Sequence, residues 1–239
     1  MGRPHVVRAA DLRPPPVQQR ALKKRARIKA AARAVFGEFG YEAASLDTIA
    51  ERAKVAVGTI YQMFRGKRQL LQVLMDELLD RLAAIDVSAD PHATRGRSPP
   101  PAGPRAVVRN IVTRAFATDL AYAGVYRAWK EAASKDPEFA RMDRSIRAWT
   151  SARLQELFTA LRRHATSRRD VDVRAFARVM DRVFWSQLPD LARGNDDQLR
   201  EFIDVMTNVI THTLFKDTAD RNPLADIPAA ERRRRSATQ

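Results

Sequence analysis

Cysteine is absent from this 239-residue chain, which excludes a disulfide framework, thiol redox chemistry and any cysteine-ligated zinc site. Histidine is scarce. His5, His92, His164 and His212 are scattered with no H-x-x-x-H pair, and neither a Walker loop nor a G-x-G-x-x-G follows a strand-like segment. Glu131, Asp136 and Glu138 come nearest to a carboxylate cluster, and solvation or capping on a helix surface accounts for them. These gaps leave no active site, metal site or cofactor cradle to read, so the chain is expected to bind rather than to catalyse. No stretch approaches the ~18 consecutive apolar residues of a membrane helix. The opening Met1-Gly2-Arg3-Pro4-His5-Val6 lacks both an apolar signal core and the Ser or Thr of a myristoylation motif. The expectation is a soluble, cytoplasmic protein with no membrane partner.

Acidic residues are also short, 28 against 43 Lys and Arg, giving a formal net charge of +15. Much of the excess precedes residue 70, where Arg20, Lys23, Lys24, Arg25, Arg27, Lys29 and Arg33 face only Glu38 and Glu42. An acidic polymer is the natural partner of such a surface, and charge alone would suit a non-specific architectural nucleic-acid-binding protein.

Residues 45–64 favour a more specific reading. Leu46, Ile49, Ala50 and Ala53 recur at i, i+3, i+4, i+7, one apolar helix face preceded by Ser45 as N-cap. Val55 plugs the turn that follows. Ile60 and Phe64 then face inward, leaving Val57, Gly58, Thr59, Tyr61 and Gln62 outward near the start of a second helix, the end that a recognition helix presents to base edges and phosphates.

With Ile28, Ala31, Ala32, Val35, Phe36 and Gly40-Tyr41 upstream and Phe64, Gly66, Lys67 and Leu70 downstream, residues 20–75 resemble the TetR family of transcriptional regulators. The resemblance implies a fold that is all-α, a DNA-binding domain at 20–70 with its helix-turn-helix motif at 45–64, and a helical effector and dimerisation body at 71–217. It also implies DNA contacts by Ser45, Thr48, Val57, Gly58, Thr59, Tyr61, Gln62 and Lys67, with Lys67 and Tyr61 on phosphates. Three positions depart from the family pattern. Lys54 replaces the turn glycine at a site that often needs positive φ, Ala56 replaces the Ser or Thr cap of the recognition helix, and Gln62 replaces a common histidine or aromatic. Glutamine pairs in two-point fashion with adenine in the major groove, so the last change alters sequence preference.

Residues 1–19, with Arg3, Arg8, Arg13 and Pro14-Pro15-Pro16, read as a basic disordered arm, and 218–239, with Arg232–Arg235, as a disordered basic tail. Residues 87–104, rich in Pro, Gly and Ser, read as a linker. Beyond it only helical spacing recurs, with a helix start at Asp136-Pro137-Glu138 and apolar stripes at 173–191 and 199–214. Those stripes could complete the monomer core. The resemblance instead implies a homodimer through a four-helix bundle, with Phe176, Val183, Phe184, Phe202, Met206 and Ile210 at the interface. It further implies an effector cavity among Phe116, Tyr122, Tyr126, Trp129, Trp149 and Phe158, residues that periodicity alone would assign to packing. The function implied is a repressor of an inverted-repeat operator on double-stranded DNA, released by a small, largely apolar molecule.

Overall fold

The computed structural model describes residues 3–4, 19–85, 103–163 and 166–216. Among them nine helices follow in order: α1 (Gln19–Phe39), α2 (Leu46–Ala53), α3 (Val57–Met63), α4 (Lys67–Ala83), α5 (Pro104–Leu120), α6 (Ala123–Lys135), α7 (Pro137–Leu161), α8 (Val173–Leu191) and α9 (Asp196–Leu214). The fold is all-α. Beside the helices there is an antiparallel bridge between Ser167 and Phe215. None of the described helices is long and apolar enough to cross a membrane.

Local chemistry explains the boundaries. Ser45 Oγ accepts the Thr48 N–H at 3.0 Å and starts α2. Asp136 accepts the N–H groups of Glu138 and Phe139 at 2.8 and 3.3 Å, and Pro137 occupies the first helical position of α7, where no N–H is needed. Asn195 and Gln198 form a reciprocal capping box at α9. Gly40 ends α1 at φ +78°, its N–H bonded to Phe36 O, in the left-handed region that glycine adopts at little cost. Pro104 is the first residue of α5 and Gly103 its N-cap, so the expected linker gives up its last two residues to a helix. The rest of that linker, residues 5–18 of the arm and the tail from 217 lie outside the described residues.

Two apolar cores divide the chain. The first joins α1–α4 to α6 and α7, with Ile28, Phe36, Ile60, Phe64, Leu74 and Trp129 each nearly or wholly inaccessible. The second joins α5 and the end of α7 to α8 and α9. The expected division at residues 70 and 71 falls inside α4, and the first core crosses it without a break through Leu79.

Candidate nucleic-acid interface and interior cavity

Helices α2 and α3 form a compact two-helix unit whose geometry follows from its apolar plugs. Lys54 occupies the left-handed region at φ 53°, ψ 52°, and its N–H bonds to Glu51 O at 3.0 Å while Val55 N–H bonds to Ala50 O at 3.0 Å. A lysine thus holds the conformation for which the sequence comparison expected glycine, and the turn survives. Ala56 caps α3 with no side-chain hydrogen bond. Ile60 and Phe64 are fully buried, whereas Gly58, Tyr61 and Gln62 are exposed and Val57 and Thr59 half-buried. The hydroxyls of Ser45 and Thr48 lie 2.8 Å apart within the α2 cap, half-buried at the edge of the same face.

Lys67 has a different role from the phosphate contact expected of it. Its ammonium donates to Tyr41 O, Glu42 O and Ala44 O at 3.0, 2.9 and 3.2 Å, and stands 4.8 Å from the centre of the Tyr41 ring. An ammonium has three donors, and here three carbonyls of the loop between α1 and α2 receive them. The basic face of α1 is likewise partly turned inward. Arg25 donates to Met63 O at 3.1 Å at the end of α3, and Arg27 to the carbonyls of Ala53 and Lys54 at the end of α2, where cations complement the helix dipole. Lys29 pairs with Glu77, and Arg33 lies over the Tyr122 ring. Arg20, Lys23 and Lys24 remain on the exposed side, and Arg27 is exposed as well despite its bonds to α2. Arg3 pairs with Asp76 and Asp80 on α4 at 2.8 and 3.0 Å, an attachment the expected free arm lacked.

The head meets the body along α6. A β-carbon on Gly124 would lie 3.2 Å from Gly37 N and nearer still to Gly37 Cα, so the two glycines let α1 and α6 approach backbone to backbone. Arg127 donates to Gly37 O, and Glu131 accepts the Tyr41 and Glu42 N–H groups at 2.7 and 3.4 Å. Glu131 therefore caps the head across the interface rather than merely solvating α6. On the other side Arg68 bonds to Asp136 and, at 2.9 Å, to Glu138. The Arg68 hydrogen bond holds the Asp136 carboxyl below the usual carboxylate range.

A partly open cavity of about 120 Å³ lies in the second core, walled by α5, α7, α8 and α9. Of the six aromatic residues expected around an effector, Phe116, Trp149 and Phe158 line it. The other three do not. Tyr122 is buried between α1 and α4, its hydroxyl 3.4 Å from Glu77. Trp129 packs edge-on against Phe139 in the first core. Tyr126 stacks on Trp185 at 4.3 Å, and burial pushes its phenol up to about 12. Residues not anticipated complete the wall: Leu82 and Ile85 from the end of α4, Trp185 from α8 and, above all, Asp119 from α5. Asp119 shares a helix face with Val112 and Phe116 at i, i+4, i+7, the signal that would have found it.

The six residues assigned to a dimer interface pack within their own chain. Phe184, Met206 and Ile210 line the cavity, Phe176 stacks on Phe158, Phe202 meets Phe116 edge-on at 5.0 Å, and Val183 packs against the same core. A periodic stripe marks an apolar face without saying whether the chain itself or a second copy covers it. The apolar side chains exposed on these helices are Val179 at 52%, Val205 at 50% and Val209 at 39%.

Residues 28–74 match the sequence profile of the family described as "Bacterial regulatory proteins, tetR family". The HTH-type transcriptional repressor KstR of Mycolicibacterium smegmatis is 39% identical over 77 residues, 32% of this chain and 36% of its own. KstR of Rhodococcus jostii is 34% identical over 122 residues, 49% of this chain and 53% of its own. The chain thus spans about half or less of the length of these curated relatives. Among solved structures, the ketosteroid transcriptional regulator KstR2 of Mycobacterium tuberculosis superposes with a TM-score of 0.57 at 18% identity, covering 85% of this chain and 98% of that one. The fatty acid degradation regulator FadR of Bacillus halodurans superposes with a TM-score of 0.58 at 18% identity, over 78% and 94% of the two chains.

Proposed function

We infer, from the match of residues 28–74 to the sequence profile of the tetR family of bacterial regulatory proteins, that this chain is a sequence-specific repressor: it binds an inverted-repeat operator as a homodimer and lets go when a small, largely apolar molecule enters the cavity. The observation that carries the reading is the continuity of α4. Its first residue, Lys67, holds the loop beneath α2, and its last turn and the residue beyond the cap supply Leu82 and Ile85 to the cavity wall. A ligand that favours one placement of that end over another biases the head, and the bias equals its difference in affinity between the two placements. A coupling of about 1–3 kcal/mol changes operator affinity roughly 5- to 150-fold. The curated relatives named as repressors support the sign of the effect.

Base reading is assigned to Gln62 with Val57 and Thr59, and phosphate contact to Tyr61, Ser45, Thr48 and the exposed cations of α1. Lys67 acts through the loop it positions. The exposed valines Val179, Val205 and Val209 on α8 and α9 form the face through which two copies pair. Selection of bound sequences from random DNA by the purified full chain tests the reading. Success is an enriched inverted repeat whose half-sites are spaced by the protein two-fold, with relaxed preference at one or two base pairs for Gln62→Ala. Equal affinity for enriched and random DNA at fixed salt would sink it.

A further inference from the structure

The cavity wall is apolar except at Asp119, Thr150, Arg153 and Asp181. Three of these already have work. Asp181 accepts the Trp185 indole N–H at 3.2 Å, Thr150 donates to Arg147 O at 3.1 Å, and the Arg153 guanidinium donates to Ile85 O at 2.6 Å and pairs with Glu156 at 3.3 Å. Arg153 Nε is buried without a partner among the described residues, although the rest of that guanidinium is tied to Ile85 and Glu156. Asp119 differs in depth: it is 2% exposed, and its Oδ1 has no hydrogen-bond partner among the described residues. An isolated carboxylate in apolar surroundings is so costly that the group keeps its proton instead, and even the neutral acid pays for each polar atom left unmatched. Burial pushes the Asp119 carboxyl well above the usual range, and no neighbouring cation pulls it back. A fold that retains such a group in a cavity of about 120 Å³ keeps a donor and an acceptor ready for something that enters.

We propose that Asp119, in its neutral acid form, is the polar anchor of this cavity, and that the ligand is a neutral, largely apolar molecule carrying a ketone or hydroxyl oxygen. The inference rests on the reading of the cavity as an effector site. A ketone accepts the carboxyl proton; a hydroxyl donates to the orphaned Oδ1. A carboxylate ligand would instead be drawn to the Arg153 guanidinium, whose Nε is unpartnered, and its affinity would not depend on Asp119 as a hydrogen-bond donor. A protonated amine would be held only if Asp119 ionised, creating an ion pair inside an apolar pocket, where desolvation offsets most of the attraction.

One six-membered ring, near the size that a cavity of about 150 Å³ accepts, supplies the test: cyclohexane, cyclohexanone, cyclohexanol, cyclohexylamine and cyclohexanecarboxylate, titrated calorimetrically into the full chain. We expect cyclohexanone and cyclohexanol to bind about tenfold tighter than cyclohexane, the gain of one well-placed hydrogen bond. Asp119→Asn, which keeps a neutral donor and acceptor, preserves that preference. Asp119→Leu abolishes it while leaving cyclohexane bound, and raises the melting temperature of the ligand-free chain by removing an unsatisfied polar group. A preference for cyclohexylamine that Asp119→Asn destroys would overturn the proposal in favour of a cationic ligand, and a preference for cyclohexanecarboxylate that Arg153→Met destroys would overturn it in favour of an anionic one. A ketone preference that survives Asp119→Leu would place the anchor elsewhere. Failure of all five probes, cyclohexane included, to bind would remove the effector cavity itself, and the anchor with it.

Discussion

Adding a single methyl group at Gly124 should unseat the head from the body, because the space that group would fill is occupied by the backbone of α1. Its β-carbon would lie 3.2 Å from Gly37 N and closer to Gly37 Cα, and neither atom belongs to a side chain that could swing aside. Restoring ordinary contact distances of about 3.5–4.0 Å means that α1 and α6 part by roughly 1–1.5 Å. Overpacking of this kind costs about 1–3 kcal/mol. For a chain of this length that corresponds to a fall in melting temperature of about 2–12 °C. The parting also strains the Arg127 bond to Gly37 O and the Glu131 cap on Tyr41 and Glu42, so the head shifts against the body and operator affinity falls as well. The reciprocal change provides the control. A β-carbon on Gly37 would meet Gly124 Cα at 3.7 Å, an ordinary contact, and an alanine in a helix gains about 0.5–1 kcal/mol over glycine. Gly37→Ala should therefore be neutral or stabilising. Calorimetric melting and fluorescence anisotropy on the selected operator separate the two. If Gly124→Ala melted with the unaltered chain, or Gly37→Ala fell as far as Gly124→Ala, the close approach of α1 and α6 would not be what joins head to body.

Lys67→Met leaves three loop carbonyls without their donor, so affinity should drop on every DNA sequence while the slope of log affinity against log salt stays unchanged; a flatter slope would return this lysine to the phosphates. Val205→Glu combined with Val209→Glu should yield folded monomers by sedimentation with the cavity probes still bound, whereas Phe184→Glu, aimed at the cavity, should lower the melting temperature sharply. The folded state raises the Asp119 pKa above its unfolded value, so this residue lowers stability progressively as pH climbs from about 4 towards the folded pKa, with no further loss above it. Denaturant titrations from pH 4.5 to 8 should show the advantage of Asp119→Asn over the unaltered chain widening with pH, and a constant difference would mean that Asp119 is ionised in the fold.

What the sequence disclosed was mostly what a few neighbouring residues decide. Ser45, Asp136 and the helix ends at Leu191 and Leu214 follow from caps and periods of three and four, and Lys54 stands in the conformation that its position in the turn demanded. The losses concern choices made across the chain. That Lys67 serves carbonyls more than twenty residues upstream depends on how α1 ends against α4, which no local pattern encodes. The stripes of α8 and α9 were visible, but a stripe does not say which residues its own chain covers: Phe184 and Ile210 line the cavity, while Val205 and Val209 stay exposed. Asp119 escaped because a lone acid in a helix is almost always wet; only its shared face with Val112 and Phe116 hinted otherwise. Tyr122 and Trp129 were assigned to the cavity as aromatics following the linker, whereas the first core reaches through α6 and claims them.

The inward turn of helix α1's cations bears on how such a protein would find its target. Arg25, Lys29 and Arg33 lend their charge to the end of α3, to Glu77 and to the Tyr122 ring, leaving Arg20, Lys23 and Lys24 facing outward together with Arg27, which is exposed but bonded to the end of α2. Each phosphate neutralised adds about 0.9 to the salt exponent of binding, and this part of it depends on sequence not at all. In a chain with a formal net charge of +15, a DNA-facing surface with every cation turned outward would linger on random DNA and drift slowly along it. On the proposed reading, holding several of them in the fold would shorten each random encounter, so that hopping between DNA segments would be fast and residence long only where the bases themselves are read.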